Sequence, residues 1–320
     1  MKFACSGFCT RPWRAAIAVM VAFAVPIEVS DASWLSDMFK NKPETARAHA
    51  RAMPRKRLAA AKHVASPKHN VKLASLGPPD VSASTLKTGS SLCDPLKFRI
   101  VVDVGHTVES DGAMSARNVP EFTFNLRLAR KIEADLKAAG YPATRLIVTE
   151  GRARPSLFKR VATAKALHAD LFLSIHHDSV PNKLLEDWEF EGKKSHFSDR
   201  FSGYSVYVSH DNPQFRASLS FAEMIGKQMK AKGLKYAEQY SQPIMGHYRH
   251  PLLDKENGVY SYDELVVLRK SEMPAVLLEA GSIINRDEEL KMNSPERQDM
   301  ISGAVVAAAK DFCPAYLGPM

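Results

Sequence analysis

From residue 98 onward, short apolar runs alternate with longer segments of helical periodicity, and this alternation restricts the fold more than any other feature of the chain. Strands that alternate with helices are typical of α/β domains, in which helices cover both faces of a largely parallel sheet. We therefore expect a single α/β domain over residues 93–320, built on a mixed, largely parallel sheet of about six strands. The pattern predicts strands over 98–104, 144–149, 170–176, 204–209 and 275–281, a short strand at 264–269, and helices over 120–140, 156–168, 215–232 and 294–311.

Two long stretches, 178–203 and 233–263, lack a regular apolar pattern. Compact domains rarely carry irregular loops of this length unless the loops serve a function. Both stretches are therefore predicted to form walls or lids of a binding groove. His247, Arg249 and His250 in the second stretch are interpreted as surface residues, with substrate contact or a role in a lid as the alternative.

The first 32 residues have the pattern of a secretory signal peptide. Lys2, Arg11 and Arg14 precede an apolar run at 15–25, and small residues follow at 30–32. The apolar run is too short and wrongly flanked for a stable membrane span. We expect export with cleavage, to the periplasm or the cell wall, and an uncleaved anchor is the alternative.

Residues 33–92 form a basic segment rich in Ala, Pro, Ser and Lys. They contain eleven Lys and Arg against three Asp and Glu, so this segment holds +8 of the net charge of +9. With few large apolar residues, such a segment is predicted to be a disordered linker. Its charge favours contact with an anionic wall polymer or membrane surface, and a merely solvated spacer is the alternative. An exported chain is not expected to bind nucleic acid.

Two cysteines, Cys93 and Cys313, remain when the leader is removed, and they flank the predicted core. An oxidising compartment allows such residues to pair. A disulfide that closes the domain is therefore predicted, with two free thiols as the alternative.

Polar side chains collect where the predicted strands end. His106 follows the first strand, His176 and His177 end the third, Glu279 lies in the last, and Glu121 lies in the first turn of a helix. Because function gathers beyond the carboxyl ends of parallel strands, we expect these groups to meet. Two imidazoles and one carboxylate are the ligand set of a catalytic zinc site with one open position, and a second carboxylate can then transfer protons. Each residue alone also has a structural explanation, such as a helix-dipole contact for Glu121.

These motifs resemble those of the zinc-dependent N-acetylmuramoyl-L-alanine amidases of the amidase-3 type. The resemblance rests on IVVDVGH, a Glu fifteen residues later, ADLFLSIHHD and PAVLLEAGSIINRDEE, and it covers roughly residues 97–312. It implies that His106, Glu121 and His176 bind one zinc ion and that Glu279 is the catalytic acid and base.

The implied reaction is hydrolysis of the peptidoglycan amide that joins the lactyl group of N-acetylmuramic acid to L-Ala of the stem peptide. Zinc would polarise the carbonyl and lower the pKa of a water from about 16 toward about 7. Glu279 would accept the proton and return it to the departing amine, because an amide nitrogen leaves poorly unless it is protonated.

The chain departs from the family pattern at several positions. Thr107 and Phe122 stand where Gly and Lys are common, and His177 and Asp178 where a small residue and Asn are common. Successive strand residues point to opposite sides, so His177 is interpreted as a supporting residue and not as a ligand like His176.

Asp178, Arg160 and Asn285 are the remaining candidates for accessory or substrate-contacting groups, and Asn285 is also interpreted as a loop cap. One alternative function is another exported zinc amidohydrolase, a carboxypeptidase or deacetylase of wall material. A second alternative, a non-catalytic wall-binding domain, is disfavoured because all four site positions are filled. The sequence leaves open whether an activator protein or a self-inhibiting segment controls the site.

Overall fold

The computed structural model describes residues 93–316. The predicted signal peptide at 1–32 and the predicted linker at 33–92 lie outside the described residues. The described elements are β1 (Ile100–Val104), α1 (Glu121–Ala138), β2 (Arg145–Ile147), α2 (Ala153–Ala166), β3 (Leu171–Asp178), β4 (Glu186–Phe190), β5 (Lys193–Phe197), β6 (Ser205–Val208), α3 (Phe215–Ala231), β7 (Leu252–Asp254), β8 (Val259–Ser261), α4 (Val266–Arg269), β9 (Ala275–Ser282), α5 (Arg286–Met292) and α6 (Pro295–Ala315). No helix among these is long and apolar enough to cross a membrane.

Seven strands form one mixed sheet in the order β2-β1-β3-β9-β6-β8-β7. The first four strands in this order are parallel. Strand β6 runs antiparallel to β9, β8 runs parallel to β6, and β7 is antiparallel to β8. The predicted α/β domain with a largely parallel mixed sheet is thus confirmed, with one strand more than expected.

Both faces of the sheet are buried, which explains why the central strands are mostly apolar before the polar residues at their carboxyl ends. Alternate residues of β1 and β3 enter two separate cores, since side chains along a strand alternate between faces. Val102 and Leu173 belong to the core under α1, α3 and α6, whereas Val101 and Phe172 belong to the core under α2 and α4. Packing on both faces therefore fixes the positions of the strand ends at the edge of the sheet.

Segment 264–269 contains a single helical turn and no strand, so the short strand predicted there is wrong. Val266–Arg269 form the single-turn helix α4, with the backbone N–H of Leu268 and of Arg269 donating to the Leu265 carbonyl. The apolar run is buried on all sides within the core beneath the sheet. A short, fully buried apolar run does not distinguish a strand from a helical turn.

The two long stretches are more regular than predicted. The first contains the antiparallel hairpin β4–β5, whose turn residues Glu191 and Gly192 both have positive φ. Such a turn matches the twist of a two-residue hairpin. The second contains β7, β8 and 3₁₀ turns at Glu238–Ser241 and Pro243–Tyr248. The alternation of Trp188 and Phe190 with acidic residues was the available signal for the hairpin.

A disulfide joins Cys93 to Cys313, with 5.4 Å between their Cα atoms. It connects the chain just before β1 to the last helix, α6, and closes a loop with a sequence separation of 220 residues. Cross-links that close long loops restrict the unfolded chain most strongly in the chain-entropy model.

Replacing both cysteines by Ser is expected to lower the free energy of unfolding by about 2–5 kcal/mol, because the unfolded chain regains its loop entropy. Urea denaturation of the variant, beside the wild type with and without reductant, measures the difference. An unchanged midpoint in the variant would contradict a stabilising cross-link.

Candidate active site

Three predicted ligands meet at the carboxyl ends of the parallel strands. Potential ligand atoms of His106, Glu121 and His176 all lie within 4.8 Å of one another. His106 Nε2 lies 2.9 Å from Glu121 Oε2, and His176 Nδ1 lies 3.0 Å from Glu121 Oε1. The carboxylate thus sits between the two imidazoles, and the side chains are buried or nearly so.

His106 directly follows Gly105, two residues beyond the end of β1. Its φ is 66°, in the left-handed region that residues other than glycine seldom adopt. Arg160 stabilises this backbone. Its guanidinium donates to the carbonyls of His106 and Val104 and also pairs with Asp103 at 2.9 Å. A strained residue at a strand end persists only where its surroundings determine it, as they do here. Arg160, predicted as an accessory group, is therefore placed as a buried support of the His106 loop.

Glu121 is positioned by the start of α1. Its backbone N–H donates to Ala113 O at 2.8 Å, while Ala113 N–H donates back to Glu121 Oε2 at 3.1 Å. Asn125, one turn further on, donates to Glu121 Oε1 at 3.0 Å. Although burial opposes ionisation, the charge and hydrogen bond of His106 and the hydrogen bond of His176 hold the pKa of Glu121 well below its usual range. The carboxylate is thus ionised and ready to bind a cation.

The hairpin β4–β5 fastens the loop that precedes Glu121. Trp188 Nε1 and Ser195 Oγ both donate to the carbonyl of Ala116, each at 2.8 Å. The Arg117 guanidinium lies 5.8 Å from the centre of the Trp188 ring. The hairpin, which the sequence pattern left as irregular chain, therefore helps to place a ligand residue.

His177 has the supporting position that strand alternation predicts. Its Nδ1 lies 2.8 Å from Asn125 Oδ1, and its ring lies against Phe124. Burial lowers the pKa of His177 to about 3, so the ring is neutral. Since Asn125 also contacts Glu121, His177 supports the carboxylate through that amide.

Glu279 lies beside the cluster, because its residue in β9 is the register partner of His176 in β3. Its Oε2 is buried and has no hydrogen-bond partner among residues 93–316. Burial, with the charges of Asp178 and Glu121, raises the pKa of Glu279 well above its usual range. A carboxyl group with a raised pKa is suited to holding and transferring a proton near neutral pH.

Asp178 faces the same cavity and is held by a residue that sequence analysis missed. Tyr240 Oη donates to Asp178 Oδ1 at 2.5 Å. Burial raises the pKa of Asp178 to about 8, against the lowering effect of the Tyr240 hydrogen bond. Tyr240 comes from a 3₁₀ turn 62 positions away, and no motif marked it.

A cavity of about 120 Å³ connects these groups. Beyond Glu279 its wall is aromatic and includes Tyr207, Tyr262 and His250, whose imidazole ring lies 4.3 Å from the Tyr262 ring. Burial lowers the pKa of His250 to about 4. His250 is half-buried and lines the cavity, which favours the alternative interpretation of a residue that contacts substrate or belongs to a lid, whereas His247 and Arg249 are exposed.

Asn285 is a helix cap in the structure. Its side-chain oxygen accepts from the backbone N–H groups of Asp287 and Glu288, at the start of α5. Its amide donates to the carbonyls of Asp199 and Phe201. These contacts use both the oxygen and the nitrogen of the Asn285 amide, so its role in the structure is to cap the helix and hold the preceding loop.

The donor set fits a zinc ion. Two imidazole nitrogens and one ionised carboxylate, with space for one more ligand, are the typical set of a catalytic zinc site. The unpartnered Oε2 of Glu279 nearby is the group that such a site needs for proton transfer. The contact of Asn125 with Glu121 supplies the outer hydrogen bond that orients a ligand.

Gly105 is expected to be essential for this geometry. A Cβ at this position would lie 2.4 Å from His176 Nε2, so a methyl group must displace the imidazole. Gly105→Ala is expected to weaken the affinity of this site for a divalent metal ion by about 10–100-fold, a loss typical of disturbed support around a ligand. Competition with a chromophoric chelator measures the affinity. Gly303→Ala, within α6, is the matched control, and equal affinities of the two variants would contradict the expectation.

Comparison with known proteins identifies relatives of most of the described part of the chain. The Amidase_3 family model, described as N-acetylmuramoyl-L-alanine amidase, matches residues 100–311. The N-acetylmuramoyl-L-alanine amidase Rv3717 of Mycobacterium tuberculosis is 22% identical over 209 residues, covering 64% of this chain and 73% of that protein. The N-acetylmuramoyl-L-alanine amidase AmiC of Escherichia coli is 24% identical over 234 residues, covering 67% of this chain and 52% of that protein.

The fold is also that of solved amidase structures. The crystal structure of Ami1 from Mycobacterium smegmatis matches with a TM-score of 0.53 and 19% identity, covering 70% of this chain and 100% of that chain. The apo form of Ami1 from Mycobacterium abscessus matches with a TM-score of 0.50 and 22% identity, covering 67% of this chain and 98% of that chain. At these identities the likeness concerns the fold alone.

Proposed function

The chain belongs to the Amidase_3 family of N-acetylmuramoyl-L-alanine amidases, and we propose that it uses zinc to hydrolyse the amide between the lactyl group of N-acetylmuramic acid and L-Ala of peptidoglycan stem peptides. His106, Glu121 and His176 would hold the ion. The observation that carries the proposal is the convergence of these three groups beside a buried carboxyl, Glu279, with an unpartnered oxygen.

A bound zinc ion supplies a Lewis acid for the amide carbonyl and makes a water nucleophile available at neutral pH. Glu279 performs the proton transfers. Its Oε2 accepts the proton released during attack and delivers it to the nitrogen of the departing L-Ala. Burial, with the charges of Asp178 and Glu121, raises the pKa of Glu279, and a raised pKa makes its carboxylate a stronger base for accepting this proton.

The surrounding residues hold this arrangement. Arg160 fixes the backbone of His106, and Asn125 orients Glu121 while its carbonyl oxygen contacts His177. The aromatic wall that includes Tyr207 and Tyr262 reduces water access around Glu279, which strengthens electrostatic interactions within the cavity.

Peptidoglycan lies outside the cytoplasm, so the proposed reaction requires export. The predicted signal peptide at 1–32 supports this location, and the basic segment at 33–92 is suited to an anionic wall or membrane surface. An activity assay on purified wall material, with the protein alone, tests whether the site also requires an activator protein.

Mass spectrometry of purified muropeptides tests the proposal. The amidase product retains a free lactyl acid and releases an intact stem peptide with a new amino terminus. Loss of a terminal residue would instead indicate a carboxypeptidase, and loss of acetate a deacetylase. Wall binding without any product from the zinc-loaded protein would favour the non-catalytic alternative.

A further inference from the structure

A second cleft, of about 540 Å³, lies apart from the cavity at the metal ligands. We call it the basic cleft and define it by Arg200, Lys230, Lys235, Lys255, Tyr236 and Gln239, which line it. None of these residues belongs to the motifs that carry the family resemblance. The cleft is open to solvent, so an extended ligand has access to it.

The basic cleft lies at the same edge of the sheet as Glu279. Ser205, at the start of β6, is the antiparallel register partner of Glu279, and β8 runs parallel to β6. The amino ends of β6 and β8 therefore lie at the carboxyl end of β9. The segments that line the cleft, 200–204 and 255–256, lead into these two strands.

One short element separates the basic cleft from the reacting groups. The 3₁₀ turn Glu238–Ser241 carries Gln239, which lines the cleft, next to Tyr240, which lines the cavity and donates to Asp178. Neighbouring residues of one turn thus face two sites. A chain-like substrate that extends from the metal ligands past this turn would reach the cleft.

The cleft has an excess of positive charge. Lys230 pairs with Glu256 at 3.0 Å, but Arg200, Lys235 and Lys255 form no ion pair with any residue in the described part of the chain. Glu238 is the other acidic residue in the lining. Unpaired cations in a concave site attract anionic groups.

Gln239 gives an independent indication of a ligand. Only 7% of its surface is exposed, and its Nε2 is buried without a hydrogen-bond partner among residues 93–316. A buried amide donor without an acceptor is unfavourable. If the Gln239 side chain, which lines the cleft, turns its Nε2 toward the cleft, a carboxylate oxygen there would supply the acceptor, and the neighbouring cations would balance its charge.

We propose that the basic cleft binds a carboxylate of the stem peptide, on the side of the scissile amide that leaves as an amine. This inference rests on the proposed function. From L-Ala the stem peptide continues away from the sugar and carries free carboxylates, which match the cations and the amide donor. The site would anchor the peptide while the lactyl carbonyl lies at the metal ligands.

The test compares two substrates that differ only in charge: an N-acetylmuramoyl tripeptide with free carboxylates, and the same compound with every carboxylate amidated. The double variant Lys235→Ala/Lys255→Ala is expected to raise KM for the free acid about tenfold, since two exposed charge contacts are lost. KM for the amidated compound and kcat for both compounds are expected to stay unchanged. The control is Lys193→Ala/Lys310→Ala, two exposed lysines outside the cleft.

An equal change in KM for both substrates, or no change for either, would overturn the role of the cleft while the wild type still cleaves both. Lost binding to intact wall with unchanged kinetics would indicate another anionic ligand and would also overturn it. If the wild type with zinc cleaves neither compound, the proposed function itself fails. Circular dichroism spectra of the variants exclude a folding defect as the cause of any change.

Discussion

Replacing Glu279 with Gln is expected to lower kcat by about 10²–10⁴-fold, because a group that both removes and returns a proton is lost. The amide of Gln has nearly the shape of the carboxyl and cannot transfer a proton. Bound zinc is expected to stay at one equivalent, since Glu279 is not among the three clustered ligands. Turnover of a muropeptide and the metal content of the same preparation measure the two effects.

Glu296→Gln, an exposed acid at the start of α6, is the matched control. Undiminished activity of Glu279→Gln would remove Glu279 from its role. Loss of zinc together with activity would show instead that the substitution disturbs the metal site.

The same substitution gives an expected pH effect on the zinc-free protein. Burial raises the folded-state pKa of Glu279, so above its ordinary pKa the native state binds a proton that the unfolded state has released. The stability of the wild type therefore falls as pH rises through this window. Glu279→Gln lacks this titration. The thermal midpoint of the variant minus that of the wild type is therefore expected to increase from pH 5 to pH 8. A constant difference across that range would contradict the raised pKa.

Removal of zinc by a chelator is expected to abolish turnover and to lower the thermal midpoint by about 5–10 °C, the shift for a ligand present at about a hundred times its Kd. Without a cation, the Glu121 carboxylate and the imidazoles of His106 and His176 remain close together in a buried site, at 2.9 Å and 3.0 Å. Activity assays and thermal unfolding, before and after chelation and after return of zinc, measure both effects.

His176→Ala is expected to reproduce the chelated state and to be insensitive to added zinc, because it removes one of three ligand groups. His196→Ala, an exposed histidine on β5, is the control and is expected to behave as the wild type. Full turnover after exhaustive chelation would exclude the proposed zinc mechanism.

Much of the fold followed from local patterns. The largely apolar runs of β1, β3 and β9 indicated buried parallel strands, and Pro120 and Gly140 marked the two ends of the first long helix. Elements marked by a long apolar run or by Pro and Gly at their ends were correctly predicted as strands or helices. The strand predicted in place of the single-turn helix α4 was wrong, because a short run of buried apolar residues is compatible with either conformation.

The positions of the metal-site residues also followed from strand ends, because parallel strands align their carboxyl termini at one edge. The sequence alone thus determined the α/β class, the order of the main elements, and the candidates His106, Glu121, His176 and Glu279. These depend on periodicity and on connections between neighbouring elements, which a sequence displays directly.

Tertiary structure decided what surrounds them. Tyr240 and His250 reach the cavity, Trp188 fastens the loop before Glu121, and Gln239 lines the basic cleft. These residues come from the two long stretches, where short elements are held by contacts with distant parts of the chain rather than by their own propensities. Their positions are set by packing against the completed sheet, which no local pattern records.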